Sequence, residues 1–317
     1  MAEEAQKSIQ EQYQDIIEKY DICMDAPPTS EILPSHKFII IRHGFSQHNF
    51  SEKETLYDKP LKGKSDPRYK QLHMDPKYTD NPLHPVGIQQ CLNHQKYINE
   101  IDFEIVFISP LQRALQTCIY LFATHPNRQN IKFVLMPELY ECLCSSGCFG
   151  PNTLTSLRES INKLADQYNI KLDFSLVEQL GRYWQVKVLE DQNLSKALLD
   201  QINSDSTNDE STYQKVVYEA MEKTSSFFLE TWKMLFYRTR KVIQKMLECE
   251  KTASKDFNKK IGLVSHGFLI KCLTASKIEE NGRIEEGIIM NNCQLLPYSF
   301  QEQQKEQSNL FKNKVNL

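Results

Sequence analysis

The sequence predicts an α/β fold: a three-layer sandwich with a mostly parallel central sheet, helices on both faces and a helical insert. Short apolar runs rich in β-branched residues recur along the chain, which is typical of strands buried on both faces. Segments with helical spacing separate these runs, and strands that alternate with helices favour a parallel sheet. Over residues 145–259 the helical spacing dominates, and this stretch is the predicted insert.

The first strand is predicted at residues 37–41, because this apolar run is short and is followed at once by charge and glycine. Before it, the spacing over residues 6–20 predicts a polar amphipathic helix. After it, residues 49–81 are polar and contain several prolines, which predicts a long surface loop. A helix is then predicted to open at Pro85.

The same plan repeats in the next unit, where a strand at residues 105–108 precedes a helix over residues 111–121. Ser109 and Pro110 are predicted to cap and open that helix. The remaining predictions, in chain order, are a strand at 131–136, a long helical pattern over 216–247 broken near 224–226, a strand at 261–265, a helix from about Phe268, and a closing strand at 294–296.

The chain is predicted to form one domain over residues 34–300. An N-terminal extension over residues 1–33 is set apart by a break rich in proline and serine. The insert over residues 145–259 lies inside the domain, and a polar tail follows over residues 301–317.

Composition excludes several classes of function. A net charge of −3 argues against nucleic acid and anionic membranes as partners, since both usually need a basic face. No apolar run is long enough to span a bilayer, and the polar N-terminus lacks the layout of a signal peptide. Nine cysteines without a secretory signal are typical of reduced thiols, which predicts a cytoplasmic location.

Cys142, Cys144 and Cys148 form a C-x-C-x3-C cluster. A zinc site would need a fourth ligand and prefers C-x2-C pairs, so the spacing favours small buried or loop thiols. No metal site is predicted.

Chemically active residues follow the predicted strands. Because the carboxyl ends of parallel strands meet at one edge of a sheet, these side chains are expected to converge there. In strand order they are Arg42, His43 and Gly44; Arg113; Glu138 and Glu141; and His266 with Gly267.

Two arginines, two histidines and a carboxylate suit phosphate-ester chemistry. Guanidinium groups pair with phosphate oxygens and stay charged at physiological pH. They also disfavour a protonated imidazole between them, which leaves a neutral ring nitrogen free to attack phosphorus. A second histidine can stabilise charge on the equatorial oxygens, and a carboxyl can protonate the leaving oxygen.

Five ordered blocks carry a resemblance to a known family. They are residues 42–49 (RHGFSQHN), 80–90 (DNPLHPVGIQQ), 109–117 (SPLQRALQT), 139–141 (LYE) and 264–267 (VSHG). Together they resemble the R-H-G-x4-N, D-x2-L-T-x2-G-x2-Q, S-P-L-x-R-A-x-Q-T, L-x-E and V-S-H-G segments of the histidine phosphatase superfamily, in its phosphoglycerate mutase-like branch. The resemblance covers residues 37–145 and 260–298, with the insert unmatched.

The resemblance implies a role for each matching residue. His43 becomes the nucleophile, His266 the transition-state stabiliser and Glu141 the proton donor, with Glu138 as the alternative acid. The implied phosphate-binding residues are Arg42, Asn49, Arg113 and Gly267. His48 and His84 either border the pocket or serve loops and caps.

The predicted function is metal-independent phosphomonoester hydrolysis through a covalent phosphohistidine on His43, without a cofactor. The substrate is a small-molecule or protein phosphomonoester of undefined identity, and no oligomeric state is predicted. One alternative is a phosphoglycerate mutase, disfavoured because Phe45 stands where mutases carry glutamate and the segment after Glu141 lacks their acidic block. Another is a non-catalytic phosphate-binding or scaffold protein, which predicts the loss of a core residue, and none is lost.

Overall fold

The computed structural model describes residues 9–25, 36–57, 65–151, 153–204, 210–224, 227–256 and 258–300. In these ranges the chain order is α1 (Ile9–Gln12), α2 (Gln14–Lys19), β1 (Phe38–Arg42), α3 (Gln47–Leu56), α4 (Pro67–Met74), α5 (Pro85–Ile98), β2 (Phe103–Ile108), α6 (Gln112–Phe122), β3 (Lys132–Leu135), α7 (Leu154–Gln167), β4 (Leu172–Asp173), α8 (Ser175–Leu180), α9 (Trp184–Lys187), α10 (Gln192–Ser204), α11 (Glu210–Lys223), α12 (Trp232–Thr252), β5 (Lys260–Ser265), α13 (Gly267–Thr274), β6 (Lys277–Ile278), β7 (Ile284–Glu285) and β8 (Leu295–Tyr298). Single 3-10 turns lie at Pro76–Tyr78, Pro137–Leu139 and Ser146–Cys148.

The central sheet has six strands in the order β4-β3-β2-β5-β1-β8. The first five are parallel, and β8 runs antiparallel to β1 at the edge. Arg42 at the end of β1 pairs with Ser265 at the end of β5, and Ile108 of β2 pairs with Val264. The predicted mostly parallel sheet is confirmed, and three strands deliver their following residues to one edge.

The central strands are apolar along their length because both faces are covered. Ile39, Ile40 and Ile41 are fully buried, as is every position of β5. Each fully buried aliphatic side chain of this size stabilises the fold by about 1.5–3 kcal/mol relative to exposure. Gly262 lets β5 approach β2 closely, since a Cβ there would lie 3.1 Å from a Val106 methyl.

Crossover direction places the helices on both faces. The chain moves one way across the sheet from β1 through β2 and β3 to β4, and returns from β4 to β5 and β8. Right-handed crossovers between the parallel strands then place α5, α6 and α7 on one face and α12 on the other. The contacts agree, because α6 packs against α5 and α7, while α12 packs against α13.

The insert is mostly helical, and it also supplies β4. This two-residue strand extends the sheet beside β3 and has too few residues to show a periodic pattern. The predicted break in the long helical pattern is present, because α11 ends at Lys223 and α12 begins at Trp232.

The prediction of a surface loop over residues 49–81 is wrong. Helix α3 begins at a capping box formed by Ser46 and Asn49, and α4 begins at Asp66 with Pro67 in its first turn. Proline at the first helical position supplies the φ angle a helix needs, so it opens α4. The cap predicted at Ser109 is also wrong, because the N-cap is Leu111 and the Ser109 hydroxyl bonds elsewhere.

The N-terminal segment packs against the rest of the chain through a small apolar cluster. Ile17, Tyr20 and Ile22 pack with Phe45 and Val86. The predicted helix over residues 6–20 is two short helices within the described residues, and residues 6–8 and the tail 301–317 lie outside them. No helix among the described residues is long and apolar enough to cross a membrane.

Candidate active site

A cavity of about 310 Å³ opens at the edge of the sheet where β1, β2 and β5 end. Most of the predicted site residues line it: Arg42, His43, Asn49, Arg113, Glu141 and Gly267. His266 lies directly behind the wall, with its ring centroid 5.0 Å from that of His43. The structure therefore brings together residues from four separate segments of the chain.

His43 follows β1 and is held in one tautomer. Its Nδ1 lies 2.7 Å from the carbonyl oxygen of Gly44, which can only accept, so Nδ1 carries the proton. Its Nε2 accepts a hydrogen bond from Nε of Arg113 at 3.3 Å. Asn292 donates to the His43 carbonyl at 3.0 Å and fixes the backbone. Nε2 is therefore unprotonated, and its lone pair accepts the hydrogen bond from Arg113.

The surroundings of His43 keep its ring neutral. Burial lowers its pKa well below the usual range, and the positive charges of Arg113 and Arg42 lower the pKa further. Burial, followed by the positive charge of Arg113, lowers the pKa of His266 in the same way. Both imidazoles are therefore neutral at physiological pH.

The two arginines are anchored by backbone carbonyls. Arg42 donates from Nη1 to Met290, and its Nε has no hydrogen-bond partner among the described residues. Arg113 donates from Nη1 to the Gly147 carbonyl at 2.6 Å. A Cβ at Gly267 would lie 3.4 Å from the Arg42 guanidinium carbon, so glycine keeps this side of the guanidinium open. The guanidinium groups retain donors for an anion in the cavity.

His266 is fixed by the serine predicted as a helix cap. Its Nε2 lies 2.7 Å from the hydroxyl of Ser109, which also accepts from the Leu111 amide. Its Nδ1 is buried and has no partner among the described residues. Such a buried, unpaired ring nitrogen is costly unless a ligand or water completes it.

Glu141, and not Glu138, lines the cavity. Its carboxylate sits at the N-terminus of α13 and accepts from the amides of Cys142, Phe268 and Leu269 at 2.9, 3.3 and 3.2 Å. Burial nevertheless raises its pKa, against the lowering effect of Arg113 and these amides. Glu138 instead pairs with Lys245 at 2.5 Å. The geometry therefore favours Glu141 of the two predicted acids.

Asn49 has its side-chain orientation fixed by three donors. Its Oδ1 accepts from the Ser46 amide at 3.2 Å, from the Ser46 hydroxyl at 3.1 Å and from Asn292 at 3.3 Å. Because a backbone amide can only donate, the oxygen is assigned and Nδ2 must point elsewhere. Asn49 lines the cavity, which fits the predicted contact to phosphate.

The structure distinguishes between the two roles predicted for His48 and His84, bordering the pocket or capping a helix. His48 lines the cavity; burial lowers its pKa to about 4, and its Nε2 has no partner among the described residues. His84 caps α5 by accepting from the Val86 amide at 3.2 Å. His48 therefore borders the site, and His84 has the capping role.

Sequence reasoning missed three residues of the cavity with ionisable side chains, namely Glu52, His73 and Lys271. Glu52 lies one turn after Asn49 on α3, and Lys271 lies one turn after Gly267 on α13. The helical spacing could have indicated both, but α3 had been predicted as loop. His73 gave no local signal, and its Nδ1 lies 2.8 Å from the Cys144 carbonyl.

Two of the clustered cysteines line the same cavity. Cys144 and Cys148 are buried, with their sulfurs 3.9 Å apart. The described residues contain no group of three or more His, Cys, Asp and Glu side chains arranged to hold a metal ion. Cys144 and Cys148 are free, buried thiols.

The fold and site define an α/β protein with a buried histidine–arginine cluster at the carboxyl edge of a parallel sheet. Residues 38–168 match the family model of the histidine phosphatase superfamily (branch 1). Over these residues the chain is similar to this superfamily, as the ordered sequence blocks predict.

The chain is also similar to several known proteins. It is 30% identical over 102 residues to fructose-2,6-bisphosphatase TIGAR B of Danio rerio, a match that spans only 32% of either chain. Among solved structures, a mycobacterial glucosyl-3-phosphoglycerate phosphatase with VO3 shares 14% identity at a TM-score of 0.42, covering 82% of this chain and 89% of that one. The ecdysone phosphate phosphatase of Bombix mori with tungstate shares 12% identity at 0.40, covering 81% and 86%.

Proposed function

We propose that the chain is a phosphomonoesterase that carries the phosphoryl group on Nε2 of His43 before passing it to water. The observation that carries the proposal is the state of that nitrogen. Nδ1 is committed to the Gly44 carbonyl, and burial with two flanking arginines lowers the pKa of the ring. A neutral imidazole whose unprotonated Nε2 lies beside an anion-binding cavity can attack phosphorus once the Arg113 donor turns to the phosphate.

In the first step, the guanidinium groups of Arg42 and Arg113 hold the phosphate oxygens, and Asn49 and His266 add polar contacts. Nε2 of His43 attacks phosphorus, the N–P bond forms and the bond from phosphorus to the ester oxygen breaks. Glu141, whose pKa is raised by burial, gives its proton to the departing oxygen, so an alcohol leaves.

In the second step, water enters where the alcohol left. The Glu141 carboxylate removes a proton from the water, whose oxygen attacks phosphorus as the N–P bond breaks. Inorganic phosphate leaves, and His43 and Glu141 return to their starting states. The arginines supply the positive charge that the transferring group needs, so we expect no metal ion in the reaction.

The size and charge of the cavity indicate part of the substrate class. Its volume of about 310 Å³ fits a phosphate and a small attached group. Lys271 adds a positive charge at the cavity wall, which favours substrates with a second anionic group. The name of the curated relative, a fructose-2,6-bisphosphatase, makes sugar bisphosphates the first candidates among small phosphomonoesters.

The test is hydrolysis of a panel of sugar phosphates, inositol phosphates, nucleotides and phosphopeptides, with added chelator. We expect release of phosphate that chelator leaves unchanged and that His43→Ala abolishes. His36→Ala is the matched control, since His36 precedes β1 at the opposite edge of the sheet. Full activity in His43→Ala would exclude the mechanism, and transfer of the phosphoryl group to a sugar acid instead of water would favour the mutase.

A further inference from the structure

A buried ion pair from the insert lies beneath the segment that carries Glu141. Arg238 of α12 and Glu230, just before that helix, are both fully buried. Nε of Arg238 donates to Oε1 of Glu230 at 2.8 Å and Nη2 donates to Oε2 at 2.7 Å, a bidentate pair. The cavity does not include either residue.

Arg238 also holds the backbone just before Glu141. Its Nη1 donates to the carbonyls of Glu138 and Tyr140 at 2.7 and 2.8 Å. Its guanidinium lies over the Tyr140 ring, 3.7 Å from the centroid. Negative charge on Glu230 helps to raise the pKa of the arginine above its already high value, so the charge is permanent.

Glu230 holds the backbone just after Glu141. Its Oε2 accepts from the Leu143 amide at 3.4 Å, and its carbonyl accepts from the Cys142 thiol at 3.3 Å. The Leu229 amide donates to the Leu143 carbonyl at 2.8 Å. The pair therefore fixes the main chain on both sides of the residue that carries the carboxyl group.

Stability alone does not account for this arrangement. Two buried charges lose their hydration, and apolar residues of similar volume often give equal or greater stability. What apolar residues cannot supply are the donors to two carbonyls and the acceptor for an amide. The pair therefore serves to fix the position of the segment from Glu138 to Leu143.

We propose that the Arg238–Glu230 pair is a positioning device for proton transfer by Glu141, through which the insert controls the acid of the site. The inference rests on the proposed phosphatase function. An error of about 1 Å in the position of a reacting group can lower the rate about 100-fold. A displaced Glu141 carboxyl would therefore slow mainly those reactions in which the leaving oxygen must receive a proton.

The test compares two esters of similar shape, 4-nitrophenyl phosphate and benzyl phosphate. The 4-nitrophenolate leaves without a proton, whereas the benzyl alkoxide needs one. The comparison uses kcat/KM, since this quantity reports the steps up to departure of the alcohol. For Arg238→Lys we expect kcat/KM to fall about 10- to 100-fold with benzyl phosphate and to stay within about twofold with 4-nitrophenyl phosphate.

Arg238→Lys keeps a charge opposite Glu230, but one ammonium cannot reproduce the planar fork. The double variant Glu230→Met/Arg238→Met removes both charges together, and we expect it to fold and to show the same selective loss. Arg158→Met is the control, because it removes an exposed guanidinium paired with Glu178 on the same insert. In a Glu141→Gln background, Arg238→Lys should cause no further loss with benzyl phosphate.

Equal losses with both esters, in whichever variant folds, would overturn the positioning role and assign the pair to general stability. An unchanged ratio of the two kcat/KM values would overturn it as well. If the wild type hydrolyses neither ester nor any member of the substrate panel, the proposed function itself fails. The two conclusions are therefore tested separately.

Discussion

At the scale of single residues, the site depends on charges that burial shifts in opposite directions. Burial and two arginines lower the pKa of His43, which keeps the proposed nucleophile neutral. Burial raises the pKa of Glu141, which keeps the acid protonated to a higher pH than an ordinary glutamate. Pairs of titrating groups whose pKa values are displaced in this way are typical of acid–base chemistry.

The raised pKa of Glu141 predicts how kcat/KM depends on pH. Its folded pKa lies above 4.5, so the protonated acid is present below that raised value and is lost as pH rises through it. We expect kcat/KM for benzyl phosphate to fall with rising pH above this point. In Glu141→Gln this basic limb should disappear and the rate should be low throughout. A basic limb that survives in the variant would assign it to another group.

Gly147 makes a second prediction at this scale. A Cβ at this position would lie 2.8 Å from the His48 ring and 2.9 Å from Asn81, and the Gly147 carbonyl holds Arg113. We expect Gly147→Ala to shift that carbonyl, to cost about 1–3 kcal/mol of stability and to weaken phosphate binding. Chemical denaturation and the KM for 4-nitrophenyl phosphate measure the two effects.

The neighbouring Ser146→Ala is the matched control for Gly147→Ala. The Ser146 hydroxyl is buried and has no partner among the described residues, so its removal should be neutral or slightly stabilising. A Gly147→Ala protein with unchanged stability and KM would show that the turn accommodates the methyl group.

At the scale of elements, sequence reasoning succeeded where a pattern is local. β1 and β5 are continuous apolar runs, and each is followed by histidine, so the strands and their site residues could be predicted together. Helix α3 could not, because its apolar residues follow no helical period and its capping box is its main local signal. Because α3 is not predicted, Glu52 on this helix is not predicted as a site residue either.

The N-terminal helix α2 is an element whose contribution can be measured. Ile17 packs in the cluster with Phe45, two residues after His43. We expect Ile17→Ala to lower the free energy of unfolding by about 2–3 kcal/mol, because it leaves a cavity there. The exposed Gln12→Ala on α1 is the control. Equal unfolding free energies for the two variants would show that the segment packs only loosely.

At the scale of the whole molecule, the site joins segments that are far apart in sequence. The proposed catalytic residues follow from ordered motifs, each placed by a strand or a helix. The Arg238 contact could not be predicted, since the arginine lies about a hundred residues from the carbonyls it holds, in a region without motifs. Long-range pairs of this kind are set by tertiary packing.

In the proposed function, phosphoryl transfer and the positioning of the proton donor depend on different parts of the chain. The sheet edge supplies the proposed nucleophile and phosphate-binding groups, while the insert fixes the segment that bears the proposed acid. Variants in the insert should therefore alter the dependence on the leaving group more than the affinity for phosphate.

The central claim is tested most directly by trapping the phosphoryl group. In Glu141→Gln the base for the second step is missing, so 4-nitrophenyl phosphate should still phosphorylate His43 while hydrolysis slows. Rapid quenching into base followed by peptide mass spectrometry should find one phosphoryl group on the peptide containing His43, and none in Glu141→Gln/His43→Ala. Phosphate on another residue, or ester hydrolysis by the double variant at the rate of Glu141→Gln, would contradict the account.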